Sequence, residues 1–225
     1  MKSFNIGDLK IRVPIIQGGM GIGVSLSGLA SAVANMGGIG VISSVAIGLV
    51  DNKGSTNYRQ NNIESLRQEI RKARDLTKGV LGVNIMSVLS DFSDMVKTAI
   101  DEKIDIIFAG AGLPLDLPGY LGKGVKTKLI PIVSSGRAAS IISTKWKQNY
   151  DYLPDAIVVE GPEAGGHLGF RREQLEEPVH SLQRLIPDVV AAVKPYAAGH
   201  GSAVPIIAAG GVYTGHDIRK MRELG

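Results

Sequence analysis

Short apolar, β-branched runs alternate with segments of helical spacing along the whole chain, and that rhythm restricts the possible folds more than any other feature of the sequence. The runs fall at 13–16, 40–43, 80–85, 104–108, 129–133, 156–159 and 204–208. Between them, helices are expected at 26–35, 63–76, 92–100, 138–147, 182–193 and 216–224, with one short proline-rich crossover at 114–124. Near-continuous apolar strands separated by amphipathic helices imply a parallel sheet covered by helices. Closed, this is a (β/α)8 barrel; open, it is a doubly wound sheet.

The position of the polar and glycine-rich residues favours the barrel. Gln17-Gly18-Gly19-Met20, Asn84, Gly110-Ala111-Gly112, Ser134-Ser135, residues 160–167 and Gly210-Gly211 all follow the carboxyl ends of expected strands, the rim where barrels place their chemistry. A dinucleotide-binding reading fits worse: Gly18-Gly19-Met20-Gly21-Ile22-Gly23 has poor spacing for that fingerprint, and no acid closes the second run near residues 41–44.

With 225 residues the chain can bury one large core, and the even rhythm points to one domain over residues 1–225. No stretch approaches the ~18–20 apolar residues that span a bilayer, and no leader pattern opens the chain, so a soluble cytoplasmic protein without membrane partners is expected. The absence of cysteine removes disulfides, zinc-thiolate and iron-sulfur sites and any thiol nucleophile. No two histidines stand at ligand spacing with a carboxylate, which argues against a metal site. The net charge of +4 is spread over helix faces such as 67–74 and is not interleaved with aromatics, which argues against nucleic acid as a partner. Homo-oligomerisation is left open.

The most informative segment is Ile157-Val158-Val159-Glu160-Gly161-Pro162-Glu163-Ala164-Gly165-Gly166-His167-Leu168-Gly169, an apolar strand running into a glycine turn with one histidine. Such a turn lets backbone approach a flat or anionic ligand, and the imidazole supplies a proton acceptor or donor near neutral pH. A second glycine turn, Ala209-Gly210-Gly211-Val212, leads through Tyr213-Thr214-Gly215 into a helix whose N-terminus suits a phosphate. Barrels commonly bind phosphate after strands seven and eight. This is the seventh run, and no eighth follows, so the chain reads as an N-terminal fragment with exposed edges on its first and seventh strands.

Four motifs in register now carry a resemblance: Pro14-Ile15-Ile16-Gln17-Gly18-Gly19-Met20, Gly82-Val83-Asn84, the Glu160 to Gly169 turn and Pro205-Ile206-Ile207-Ala208-Ala209-Gly210-Gly211. Together they resemble the nitronate monooxygenase family, formerly 2-nitropropane dioxygenases. The resemblance implies a TIM-type (β/α)8 barrel, here lacking its eighth strand, that holds non-covalent FMN at its carboxyl rim. It implies oxidation of alkyl nitronates or nitroalkanes with dioxygen to carbonyl compounds and nitrite. The flavin-dependent type II enoyl-acyl carrier protein reductases share these motifs, so an NAD(P)H-dependent enoyl reductase or an inactive flavin-binding fragment is the alternative. Inosine monophosphate dehydrogenases share the phosphate-site style but need a cysteine this chain lacks.

Residue by residue, the resemblance puts Gly19, Met20 and Gly21 along the flavin ring, and Asn84 at its edge as donor and acceptor. Ser134 would reach the ring or ribityl chain, and Glu160 the ribityl hydroxyls, unless Glu160 forms an ion pair instead. Gly165, Gly166, Gly210 and Gly211 would approach the phosphate through backbone N–H groups. His167 is the expected catalytic residue, removing the α-proton of a nitroalkane or stabilising the nitronate. His180, His200 and His216 read as surface or capping residues, and the polar segments 48–58 and 169–178 as solvated loops, the latter a candidate lid.

Overall fold

The computed structural model describes residues 3–50, 57–197 and 203–224; the expected roles of His200 and most of the 48–58 segment lie outside these residues. Chain contacts divide the molecule into two compact units, residues 1–109 with 119–129, and residues 110–118 with 130–225.

The first unit opens with a hairpin that the apolar periodicity did not announce, β1 (Phe4–Ile6) paired antiparallel with β2 (Leu9–Ile11). Its strands are three residues each, too short for an alternation pattern to stand out, yet Ile6 and Ile11 are wholly buried. The helix α1 (Ser27–Asn35) and strand β3 (Ile39–Ser43) follow, then α2 (Tyr58–Leu76), β4 (Val80–Met86), α3 (Phe92–Asp101) and β5 (Ile106–Gly110), the last residue of which falls in the second unit. β3 pairs in parallel with β4, and β4 with β5.

The expected strand at 13–16 is not one: only an isolated parallel bridge joins Ile16 to Ile39. Pro14 has no N–H to offer a ladder, and the Ile15 N–H turns back to the Val13 carbonyl at 2.7 Å. Helix α2 begins five residues before its expected start, because the Asn57 side chain accepts the Gln60 N–H at 3.2 Å and caps it there. Its buried residues Asn62, Ser65, Leu66, Glu69, Ile70 and Ala73 keep the three-and-four spacing of one helical face. Helix α1 has no side-chain cap of its own; the buried Glu69 carboxylate of α2 accepts the Ser27 N–H at 2.8 Å instead and is held from the other side by Lys72.

In the second unit β6 (Lys128–Val133), most of which belongs here, pairs in parallel with β7 (Ile157–Glu160), and β7 with β8 (Ile206–Ala209). Helix α4 (Gly136–Tyr150) connects β6 to β7, α5 (Leu182–Ala197) connects β7 to β8, and α6 (Gly215–Arg222) follows β8. The Ser135 hydroxyl caps α4 by accepting the Ala138 N–H at 3.2 Å. Trp146 of α4 is fully buried and donates its indole N–H to the Pro114 carbonyl at 2.9 Å, which ties the proline-rich crossover to the core. Helix α5 runs four residues past its expected end and contains Pro187 and Pro195. None of the described residues from 203 to 224 is buried, and the apolar Ile206 and Ile207 of β8 stay half-exposed. No helix among the described residues is long and apolar enough to cross a membrane.

Candidate functional site

In the first unit the candidate site begins with the loop at 17–25, which a small polar network holds at both ends. The Gln17 amide donates to the Ser25 hydroxyl at 2.9 Å and to the Val41 carbonyl at 2.8 Å. Ser25, wholly buried, accepts the Met20 N–H at 3.0 Å and donates to the Gly18 carbonyl at 3.1 Å. Between these ties the loop lies directly on the carboxyl ends of β3 and β4. A Cβ at Gly19 would fall 2.4 Å from the Asn84 Cβ, and one at Gly21 would fall 3.3 Å from Val45 and 3.4 Å from the Ser43 hydroxyl. Glycine is therefore required at 19 for the loop to sit there at all. Met20 turns outward and is 45% exposed, as are Ile22 and Val24 at 54% each, an apolar rim unusual for a loop.

Asn84 uses its carbonyl to accept both the N–H and the hydroxyl of Ser44, at 3.1 and 2.9 Å. Its side-chain amide has no hydrogen-bond partner among the described residues, so both its donors and its acceptor remain available. The Ser43 hydroxyl is buried and likewise without a partner.

In the second unit Ser134 follows β6, and the 161–169 segment returns over it: a Cβ at Gly169 would lie 2.4 Å from the Ser134 hydroxyl. Glu160 ends β7 opposite Ala209 of β8 and is half-buried. Burial pushes its carboxyl up to about 7, and no ion pair or hydrogen bond among the described residues offsets that, which answers the expectation of an ion pair there. The turn after β7 packs on the turn after β8. Cβ atoms at Gly210 (φ 100°) and Gly211 (φ 68°) would fall 2.7 Å from the Ala164 nitrogen and 2.3 Å from a Glu163 carboxylate oxygen. Gly165 and Gly166, by contrast, have nothing within 4 Å of where a Cβ would stand, so open space lies beside them. His167 follows, exposed and without a hydrogen bond or ion pair among the described residues.

Ahead of α6, a carboxylate of the helix itself engages two backbone N–H groups. Thr214 and Asp217 form a capping box on α6. One Asp217 carboxylate oxygen accepts the Tyr213 N–H at 3.1 Å, the Thr214 N–H at 2.7 Å and the Thr214 hydroxyl at 2.8 Å. These bonds hold the Asp217 carboxyl below its ordinary range, the Thr214 hydroxyl most of all. The Thr-x-x-Asp spacing, visible in the sequence, was the signal for this cap. Ser25 and Ser43 carried no comparable signal, because their roles depend on which strand ends the loop crosses. Of the remaining histidines, His180 approaches Glu177 at 3.2 Å and meets Phe170 at a tilt of 51° with ring centres 5.3 Å apart, while His216 lies in the first turn of α6. The 169–178 segment is largely exposed, with one short 3-10 turn at Arg172–Gln174.

The family model for nitronate monooxygenase matches residues 2–103 and 90–225. Among curated proteins, the chain is 29% identical over 208 residues to a (3aS,4S,5R,7aS)-5-hydroxy-7a-methyl-1-oxo-octahydro-1H-indene-4-carboxyl-CoA dehydrogenase of Mycobacterium tuberculosis, covering 92% of this chain and 48% of the relative. It is 26% identical over 243 residues to a probable nitronate monooxygenase of Staphylococcus haemolyticus, covering 96% of this chain and 62% of the relative. The solved structure of FabK from Thermotoga maritima superposes with a TM-score of 0.70 at 30% identity, covering 96% of this chain and 56% of that one. The chain thus spans about half the length of the curated relatives it matches first. Its fold class is that of a partial TIM-type α/β barrel with parallel strands. With both halves of its length matched in order, the chain belongs to the nitronate monooxygenase family.

Proposed function

We propose that this chain carries the FMN-binding and proton-handling residues of an enzyme that oxidises alkyl nitronates with dioxygen to carbonyl compounds and nitrite. The observation that carries the proposal is the turn at 165–167, where two glycines face open space beside an exposed histidine without a partner among the described residues. The donor set suits a flavin. In the first unit, the Asn84 amide can donate to and accept from a heterocycle edge, and the Gly19 turn presents bare backbone to a flat ring. In the second, Glu160 in its protonated form can donate to a ribityl hydroxyl or accept from one, and Gly165 and Gly166 leave room for a phosphate. Ser134, Gly210 and Gly211 support that turn from below. Asp217 occupies two N–H groups ahead of α6, so the phosphate would rest on the glycine turns and not on the helix.

Bound FMN would supply the redox chemistry between nitronate and dioxygen. His167 would take the α-proton of a neutral nitroalkane and, as imidazolium, stand beside the nitronate anion it has made.

The test is FMN titration of the purified chain, followed anaerobically by separate additions of an alkyl nitronate and of NADPH. Flavin bands bleached by nitronate and not by NADPH support the proposal. The reverse supports an NAD(P)H-dependent enoyl-thioester reductase. Absence of FMN binding overturns both.

A further inference from the structure

Ser43 ends β3 as Asn84 nears the end of β4, and the two are register partners in the parallel ladder. Register partners in a parallel pair project from the same face, so hydroxyl and amide stand side by side. Gly19 and Gly21, two residues apart, rest on Asn84 and Ser43 respectively. The loop therefore crosses two adjacent strand ends and meets one polar side chain on each.

Ser43 is 3% exposed, and its hydroxyl is the one buried side-chain polar atom without a hydrogen-bond partner among the described residues. An unpartnered buried hydroxyl is costly, and serine at such a position is normally paired. Alanine would fill the same space without that cost, so packing alone gives no reason for serine here. Its neighbours Ser44 and Ser25 are both fully engaged, which leaves Ser43 as the exception within one short stretch.

We infer that Ser43 is a positioning residue of the cofactor site, its hydroxyl completing a hydrogen bond beside Asn84 when a flavin ring settles against the Gly19 to Gly21 loop. This rests on the FMN reading above. The pair offers a donor and an acceptor on neighbouring strands, spaced by the interstrand distance of ~4.8 Å, which suits the alternating donors and acceptors along a flavin edge. Gly21 places no side chain of its own between the loop and the Ser43 hydroxyl.

The experiment compares the wild-type chain with Ser43→Ala in two measurements, thermal unfolding without cofactor and the FMN dissociation constant by flavin fluorescence titration. The expected result is an unfolding temperature unchanged or raised, because the orphaned hydroxyl is gone, together with FMN binding weakened about three- to tenfold. Equal FMN affinity in the two proteins overturns the inference while leaving the cofactor reading intact. A lowered unfolding temperature also overturns it, since the hydroxyl would then serve the apo fold. If the wild type itself binds no FMN, the cofactor reading fails and the inference with it.

Discussion

Replacing Glu160 by glutamine should stabilise the cofactor-free protein, by an amount that grows from pH 4.5 and levels off above pH 7. The Glu160 carboxyl titrates near 7 in the fold against an ordinary 4.5, because burial disfavours its charged form and nothing nearby compensates. Between pH 4.5 and 7 the folded chain keeps a proton here that the unfolded chain has lost, so stability falls as pH rises through that window. Taken at face value the interval corresponds to about 3 kcal/mol, at ~1.4 kcal/mol per pH unit. The carboxyl retains partial contact with water, which reduces the expected effect to ~1–2 kcal/mol. Glutamine fills nearly the same volume and carries no charge at any pH. Urea denaturation of the two proteins should therefore coincide at pH 4, diverge between 4.5 and 7, and leave Glu160→Gln more stable by ~1–2 kcal/mol at pH 8. Thermal unfolding should show the same trend, with ~2–4 °C per kcal/mol for a chain of this size. A variant no more stable than wild type at pH 8, or one offset equally at pH 4 and pH 8, would refute the reasoning.

Other expectations are equally direct. His167→Ala, at an exposed position, should leave the unfolding temperature within a degree or two and lower nitroalkane turnover by the ~10²–10⁴ of a lost general base; steady-state oxygen consumption measures it, and an unchanged rate removes His167 from the chemistry. Gly19→Ala should destabilise the first unit by ~1–3 kcal/mol, because its Cβ collides with Asn84, and denaturant unfolding reads this. Glu69→Ala strips the buried Ser27 N–H of its acceptor and should cost ~1–3 kcal/mol near neutral pH. Desolvation raises the Glu69 carboxyl, but the bonds from Lys72 and Ser27 outweigh it and hold the group below 4.5. Its contribution is accordingly present above pH 4.5 and fades as the pH falls through that lowered value, which a denaturation series from pH 7 to pH 3 would show.

Several features could be read directly from residue order. The strands at 39–43, 80–86, 128–133 and 157–160 lie within two residues of their apolar runs, because a parallel strand with both faces covered has to be apolar along its length. Helices α1, α3 and α4 were legible for a related reason: each turns an apolar stripe inward at helical spacing. The family motifs were equally plain, since glycine turns and strand ends are local features that stay together in the chain.

Other features depended on contacts between distant parts of the sequence. The run at 13–16 has strand composition, yet Pro14 and the bond from the Ile15 N–H back to the Val13 carbonyl leave it a single bridge. Helix α1 takes its cap from a glutamate 42 positions away, and no local pattern announces such an acceptor. Asp217, four residues beyond Tyr213, folds back onto the Tyr213 and Thr214 N–H groups ahead of α6. Sequence alone thus determined the family, the βα order and the residue types of the candidate site. Only the tertiary structure decided which of those polar groups are already engaged and which, like the Asn84 amide, the Ser43 hydroxyl and the Glu160 carboxyl, have no partner among the described residues. Hydrogen bonding and desolvation act through space, and residue order records neighbours along the chain alone.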